Sequence, residues 1–142
     1  MRELTAFDAD VLIYAATADH PLGIRVAAVF TGARGIVGTG SVLLLTEVLA
    51  KPMRQDPTSA ETAALIGLLS RLELLPLDDG AARLALSLAV SYGLRATDAA
   101  HLATAVAAGA DRFLTNNRKD FPRSITEIDV VYPENLPAPT GR

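Results

Sequence analysis

Acidic residues are the side chains of this sequence with the clearest chemical potential. Asp8 and Asp10 stand one residue apart in TAFDADVLIYAA, residues 5–16. Glu47 lies within SVLLLTEVLAKP, residues 41–52, and Asp98 within TDAAHLATAVAAGA, residues 97–110. Asp120 ends the run TNNRKD, residues 115–120, which also holds Thr115, Asn117, Arg118 and Lys119. Several carboxylates converging without thiolate or imidazole partners favour hard divalent cations with oxygen ligands, Mg²⁺ or Mn²⁺. Such a site can ionise water and neutralise charge on a phosphodiester during an in-line displacement.

Each acid also has a plainer role. Asp10 precedes VLIYAA and suits a helix N-cap. Asp98 falls in a first helical turn, where a carboxylate favours the macrodipole. Glu47 precedes Lys51 by four residues, a surface pair worth about 0.3–0.5 kcal/mol. Against that, its helix is apolar almost all round, which turns Glu47 toward a pocket where a cation offsets the cost of burial. His20 and His101 are the only histidines. His101 lies one turn after Asp98 and within reach of the same site, although a helix-face or core role is the ordinary one. Arg118 and Lys119 read either as phosphate contacts or as solvated loop charges. The patterns G-x-x-x-x-G-K-[ST], G-x-S-x-G and G-x-G-x-x-G are absent, which removes support for P-loop, hydrolase-elbow and dinucleotide readings. Ser41 and Thr46 lack a histidine partner for a nucleophilic triad. The run GIVGTG bends a strand end without needing a ligand.

Short β-like runs alternate with amphipathic stretches. Strands are predicted at residues 3–9, 35–39, 73–77, 112–115 and 128–133. Helices are predicted at 10–17, 23–33, 41–52, 59–72, 80–93 and 97–110. Asp10, Ser41 and Thr97 are the predicted caps, Pro52 closes the third helix, and Gly93 and Gly109 stop the last two. This alternation implies an α/β fold, a mostly parallel sheet with helices on both faces. The working crevice of such sheets lies beyond the carboxyl ends of the strands. Asp8, Asp98 and the Thr115–Asn117 run are expected to converge there.

Composition is consistent with this. A chain of 142 residues suffices for one domain with a real core. Half the residues are hydrophobic and 20% are charged, a globular balance. The absence of cysteine excludes a disulfide framework and fits a reducing cytoplasm. Acids appear too early for a secretory signal, and no apolar run is long enough for a membrane span. The formal net charge of −3 argues against a large uniform basic surface. All the basic residues except Lys51 and Lys119 are Arg, which suits phosphate contacts.

Three segments together resemble the PIN-domain family, and within it the VapC-type toxins of bacterial toxin–antitoxin pairs. AFDADVLIYAA resembles the family's opening strand–helix with its first acid. SVLLLTEVLAKP resembles the segment with the second acid and a closing basic–Pro pair. LRATDAAHLATAVAAGADRFLTNNRKDF resembles the third acid, its Ala-rich helix and a strand ending in a Thr-containing loop. The resemblance implies a PIN-like three-layer sandwich over residues 1–135. The Pro-containing end YPENLPAPTGR is expected to be ordered at its start and to fray into a flexible tail over 136–142. It implies a magnesium- or manganese-dependent endoribonuclease that binds RNA, a cognate antitoxin and a second copy of itself. It places Asp8, Glu47 and Asp98 at the metal-binding, catalytic acids and Thr115 behind them as a supporting hydroxyl. Asp10 is an extra carboxylate where the family often has Asn or Ser. Asn117 stands where many members carry Asp, with Asp120 near enough to compensate. Two alternatives stay open. An Asp-x-Asp after a strand also begins haloacid-dehalogenase-like phosphatases, with Asp8 as nucleophile, although those continue Gly-Thr and this chain has Val11 and Leu12. A PIN fold with weakened chemistry could instead serve as a partner-binding module.

Overall fold

Five short runs pair into one sheet: β1 (Thr5–Phe7), β2 (Gly38–Ser41), β3 (Leu72–Leu75), β4 (Arg112–Leu114) and β5 (Asp129–Val131). The computed structural model describes residues 3–139, so the end of the expected tail, residues 140–142, lies outside the described residues. The strand order is β3-β2-β1-β4-β5, and every neighbouring pair is parallel. Six helices connect the strands: α1 (Ala9–Ala15), α2 (Pro21–Thr31), α3 (Leu44–Gln55), α4 (Ala60–Leu69), α5 (Asp79–Tyr92) and α6 (Ala96–Ala107). Among the described residues, no helix is long and apolar enough to cross a membrane.

Successive strand residues point to opposite faces, and both faces are covered. Ala6 and Phe113 join Ala85, Leu88 and Leu102, from α5 and α6, in one core cluster. Their chain neighbours Phe7 and Leu114 join Val11, Val26, Leu44, Val48 and Leu65, from α1 to α4, in the other. The result is the expected three-layer α/β arrangement. Glycines in β2 are there for space. A Cβ on Gly38 would stand 2.3 Å from the Thr5 carbonyl oxygen and 2.7 Å from the Phe7 ring. One on Gly40 would meet Leu44 at 2.5 Å. Leu136, placed by the sequence at the start of the tail, is buried in the second cluster, and Arg25 donates to its carbonyl at 2.6 Å.

The chain lays β2 and β3 on one side of β1, then returns to add β4 and β5 on the other. The strand order therefore reverses between β1 and β4, and a crevice opens beyond their carboxyl ends. Asp8 leaves β1 at that point. Its backbone N–H donates to the Leu114 carbonyl at 3.0 Å, one step past the strand.

Several helix ends differ from the sequence reading. Asp8, not Asp10, caps α1: β1 stops at Phe7, and Asp8 keeps extended dihedrals (φ −84°, ψ 165°) while its side chain accepts from Ala9. Asp10 is thereby drawn into the first turn. Ser41 does not cap α3, because it is still the last residue of β2. Its Oγ instead accepts from the Leu43 N–H at 3.1 Å, and Leu43 starts the helix without a side-chain cap. Pro52 does not close α3. It lacks a donor for the Val48 carbonyl, yet it is buried, and the helix runs one further turn to Gln55. Thr97 is not the cap of α6, which begins after Arg95 with no side-chain cap bond. Gly93 does adopt the left-handed conformation expected after α5, at φ 67°.

Candidate active site

Asp8 is 5% exposed, and both its oxygens are used. Oδ1 accepts from the Ala9 N–H at 2.8 Å, and Oδ2 accepts from the Thr115 hydroxyl at 2.7 Å. Thr115 is wholly buried just past β4 and in turn accepts from the Asn117 N–H at 3.1 Å. One hydroxyl thus fixes the acid of β1 and orients the loop after β4. Burial pushes the Asp8 carboxyl up, and the Glu47 charge adds to this. The field of His101 and the bonds from Thr115 and Ala9 oppose it.

Asp10 faces the same crevice from the first turn of α1. Its Oδ2 accepts from the Asn116 N–H at 3.1 Å, while its Oδ1 is buried and without a hydrogen-bond partner among the described residues. Burial, and then the neighbouring Asp8 charge, push its carboxyl up to about 7.

Glu47 reaches the site from α3, and its side chain is 39% exposed. It forms no ion pair with Lys51 among the described residues; its Oε1 lies 2.5 Å from Nε2 of His101. His101 is 2% exposed on α6, so the core reading and the site reading of this histidine both hold. Burial disfavours the charged imidazolium, yet the Glu47 bond and the fields of Asp8, Glu47 and Asp98 outweigh it and raise the pKa. Asp98, half-buried in the first turn of α6, is pushed up by burial and by the charges of Asp120 and Glu47, against His101 and Arg95.

Asp120 is placed by Asn117. The Asn117 side-chain amide donates to Asp120 Oδ2 at 2.9 Å, and Asn117 Oδ1 accepts from the Asp120 N–H at 3.2 Å. Arg118 pairs with Glu134 and lies 4.4 Å from the centre of the Tyr132 ring. Lys119 is exposed on the same loop. A cavity of about 510 Å³ opens over the outer half of the site, lined by Leu43, Thr46, Glu47, Arg95, Thr97 and Asp98. Arg95 was not singled out from the sequence. The available signal was its position three residues before Asp98, on the same side of the helix start.

The carboxylates are linked through Glu47, whose charge acts on Asp8, Asp10 and Asp98, while Asp120 acts on Asp98; His101 opposes them at Asp8 and Asp98, and Arg95 at Asp98. Among the described residues, no three Asp, Glu or His side chains form a closed metal-holding group. The donor set still fits a hydrated hard cation, which binds through one or two carboxylates and retains waters. The unpartnered Asp10 Oδ1 and the raised Asp8 and Asp98 are groups that a nearby positive charge would relieve.

The sequence model of the PIN domain matches residues 6–124. The chain belongs to the PIN domain family. Two of the solved structures that share its fold illustrate this. A toxin–antitoxin complex from Klebsiella pneumoniae superposes with a TM-score of 0.71 at 22% identity, covering 92% of this chain and 97% of that one. VapBC2 from Rickettsia felis, bound to a DNA fragment from its promoter, gives 0.69 at 16% identity, covering 91% and 98%. No curated protein matches the chain.

Proposed function

We infer that this PIN domain is a divalent-metal-dependent endoribonuclease of the VapC toxin type. The observation that carries the reading is the set of carboxylates at the switch point, with Asp10 Oδ1 buried and unpartnered among them. Family membership and the toxin–antitoxin character of its structural relatives support it. Asp8, Glu47 and Asp98 would hold Mg²⁺ or Mn²⁺, directly or through its waters, with Asp10 and Asp120 as accessory carboxylates and Asn117 setting Asp120. A bound divalent ion supplies Lewis acidity and a nucleophilic water at neutral pH. The chain's own groups do the rest. Thr115 and the α1 backbone hold Asp8 in a single orientation. Arg95, Arg118 and Lys119 offer positive charge to phosphates of the RNA strand. The buried floor around Thr115 and His101 limits water behind the acids.

Asp8 gives one oxygen to the α1 cap and the other to Thr115, which suits a fixed ligand better than the mobile nucleophile of a phosphatase. By the same reading the protein acts in the cytoplasm and is held by an antitoxin segment over the acidic cavity. A second copy would pack along α5, where Leu86 and Val90 are 66% and 77% exposed. The test is cleavage of single-stranded RNA by the purified chain with Mn²⁺ or Mg²⁺. Activity that chelator and Asp8→Asn both abolish is the expected result. Equal cleavage by wild type and Asp8→Asn would remove the acid from the mechanism. A folded, inactive wild type that still binds a partner would leave the binding-module reading.

A further inference from the structure

Beyond its place in the buried floor, His101 makes one specific contact: its ring is the only side-chain hydrogen-bond partner Glu47 has among the described residues. The two come from different helices, 54 residues apart in sequence. Glu47 is exposed and long, whereas the His101 side chain is wholly enclosed. Of the two ring nitrogens, Nδ1 is buried with no partner among the described residues.

That asymmetry selects the tautomer. With the proton on Nδ1, a buried N–H would lack an acceptor, and a bare Nε2 lone pair would face Glu47 Oε1 at 2.5 Å. With the proton on Nε2, the ring donates to the carboxylate and leaves only a bare acceptor at Nδ1. Orphaned donors are rarer than under-satisfied acceptors in folded proteins. The second arrangement also leaves both Glu47 oxygens with lone pairs for another positive partner.

Glu47 otherwise has little to hold it. Its side chain projects from an exposed stretch of α3 and would sample several rotamers in water. A packed imidazole that donates to it removes most of that freedom. We propose that His101 is the positioning residue for Glu47, its Nε2–H holding the carboxylate in the orientation that receives the divalent cation. This rests on reading Glu47 as a cation ligand, but not on the substrate being RNA. Partners behind a ligand commonly contribute 10- to 100-fold in metal affinity.

Mn²⁺ binding by electron paramagnetic resonance, on the full chain without RNA, tests the proposal. His101→Met should weaken binding by about 10- to 100-fold. His101→Gln, whose amide nitrogen reaches the place of Nε2, should restore most of it. In the metal-free wild type, ¹⁵N spectra should show a protonated Nε2, and Glu47→Ala should shift the Nε2 resonance. The spectra require neither histidine variant to fold. Unchanged Mn²⁺ affinity in a folded His101→Met, a ring with a bare Nε2, no response to Glu47→Ala, or no Mn²⁺ binding by the wild type would each overturn it. A wild type that binds Mn²⁺ with this His101 dependence but cuts no RNA would sink the nuclease reading and leave the positioning role standing.

Discussion

The two halves of the acidic site are built by different means. The inner half, Asp8 and Asp10, is held by backbone together with the Thr115 hydroxyl. Asp8 caps α1 and extends the β1–β4 ladder, and Asp10 accepts from the Asn116 N–H. The outer half, Glu47 and Asp98, stands at a cavity mouth on two helices, and Glu47 is held by one side-chain bond to His101. Backbone bonds between strand ends far apart in sequence therefore place the inner acids, whereas a single side-chain bond between α3 and α6 ties down the outer half. The inner half is rigid and electrostatically strained, and the outer half is adjustable.

The largest effect expected from this contrast is on chemistry. Asp8→Asn keeps an oxygen for the cap but removes the charge. RNA cleavage should fall by more than about 100-fold, beyond the usual loss for a group behind a ligand, while the melting temperature is retained or rises. A drop in both would mean that the cap, not the charge, is what Asp8 supplies.

Strain in the inner half should appear in the pH dependence of stability without metal. The folded-state pKa of Asp10, about 7, lies above its ordinary 3.8. Between these values the folded chain holds the proton and the unfolded chain does not. This group's contribution is thus intact below about pH 4 and is lost as pH rises through 7. Asp10→Asn should be more stable than wild type at pH 8 by about 1–3 kcal/mol, with the gap closing toward pH 4. Denaturant melts at both pH values measure it, and millimolar Mn²⁺ should narrow the gap at pH 8.

Thr115→Val tests the hold on the inner half. It strips Asp8 Oδ2 and the Asn117 N–H of a shared partner in a buried place. The expected cost is about 1–3 kcal/mol in urea unfolding. The smallest effect belongs to the outer surface. Lys51→Met should change stability by less than about 0.5 kcal/mol, because Glu47 is engaged with His101 rather than Lys51.

The layout of this site was more legible in the sequence than its wiring. Alternation of apolar runs was enough for a parallel sheet with helices on both faces, and the strand-end positions of Asp8 and Thr115 followed from it. The cap of α1 did not, because the end of β1 is decided by a bond from Asp8 to Leu114, 106 residues away along the chain. The start of α3 was misplaced for a similar reason. Ser41 is claimed by its ladder with Leu75 in β3, and no local propensity records that pairing. His101 was visible as a neighbour of Asp98 by helical spacing, but its bond to Glu47 joins two helices and leaves no periodic trace. The turn in which Asn117 sets Asp120 was equally hidden, since it depends on side-chain amide geometry rather than residue type.

The bond from the Asp8 N–H to Leu114 has a consequence for how the site comes apart. That amide belongs to the central pair of strands, so its exchange with solvent deuterium should require the same opening as the core of the sheet. The inner acids would then keep their places through every partial unfolding that leaves β1 and β4 paired. Fraying at the uncapped starts of α3 and α6 would release Glu47 and Asp98 long before that. Such a protein can lose and regain half of its acidic site while the sheet beneath it never opens.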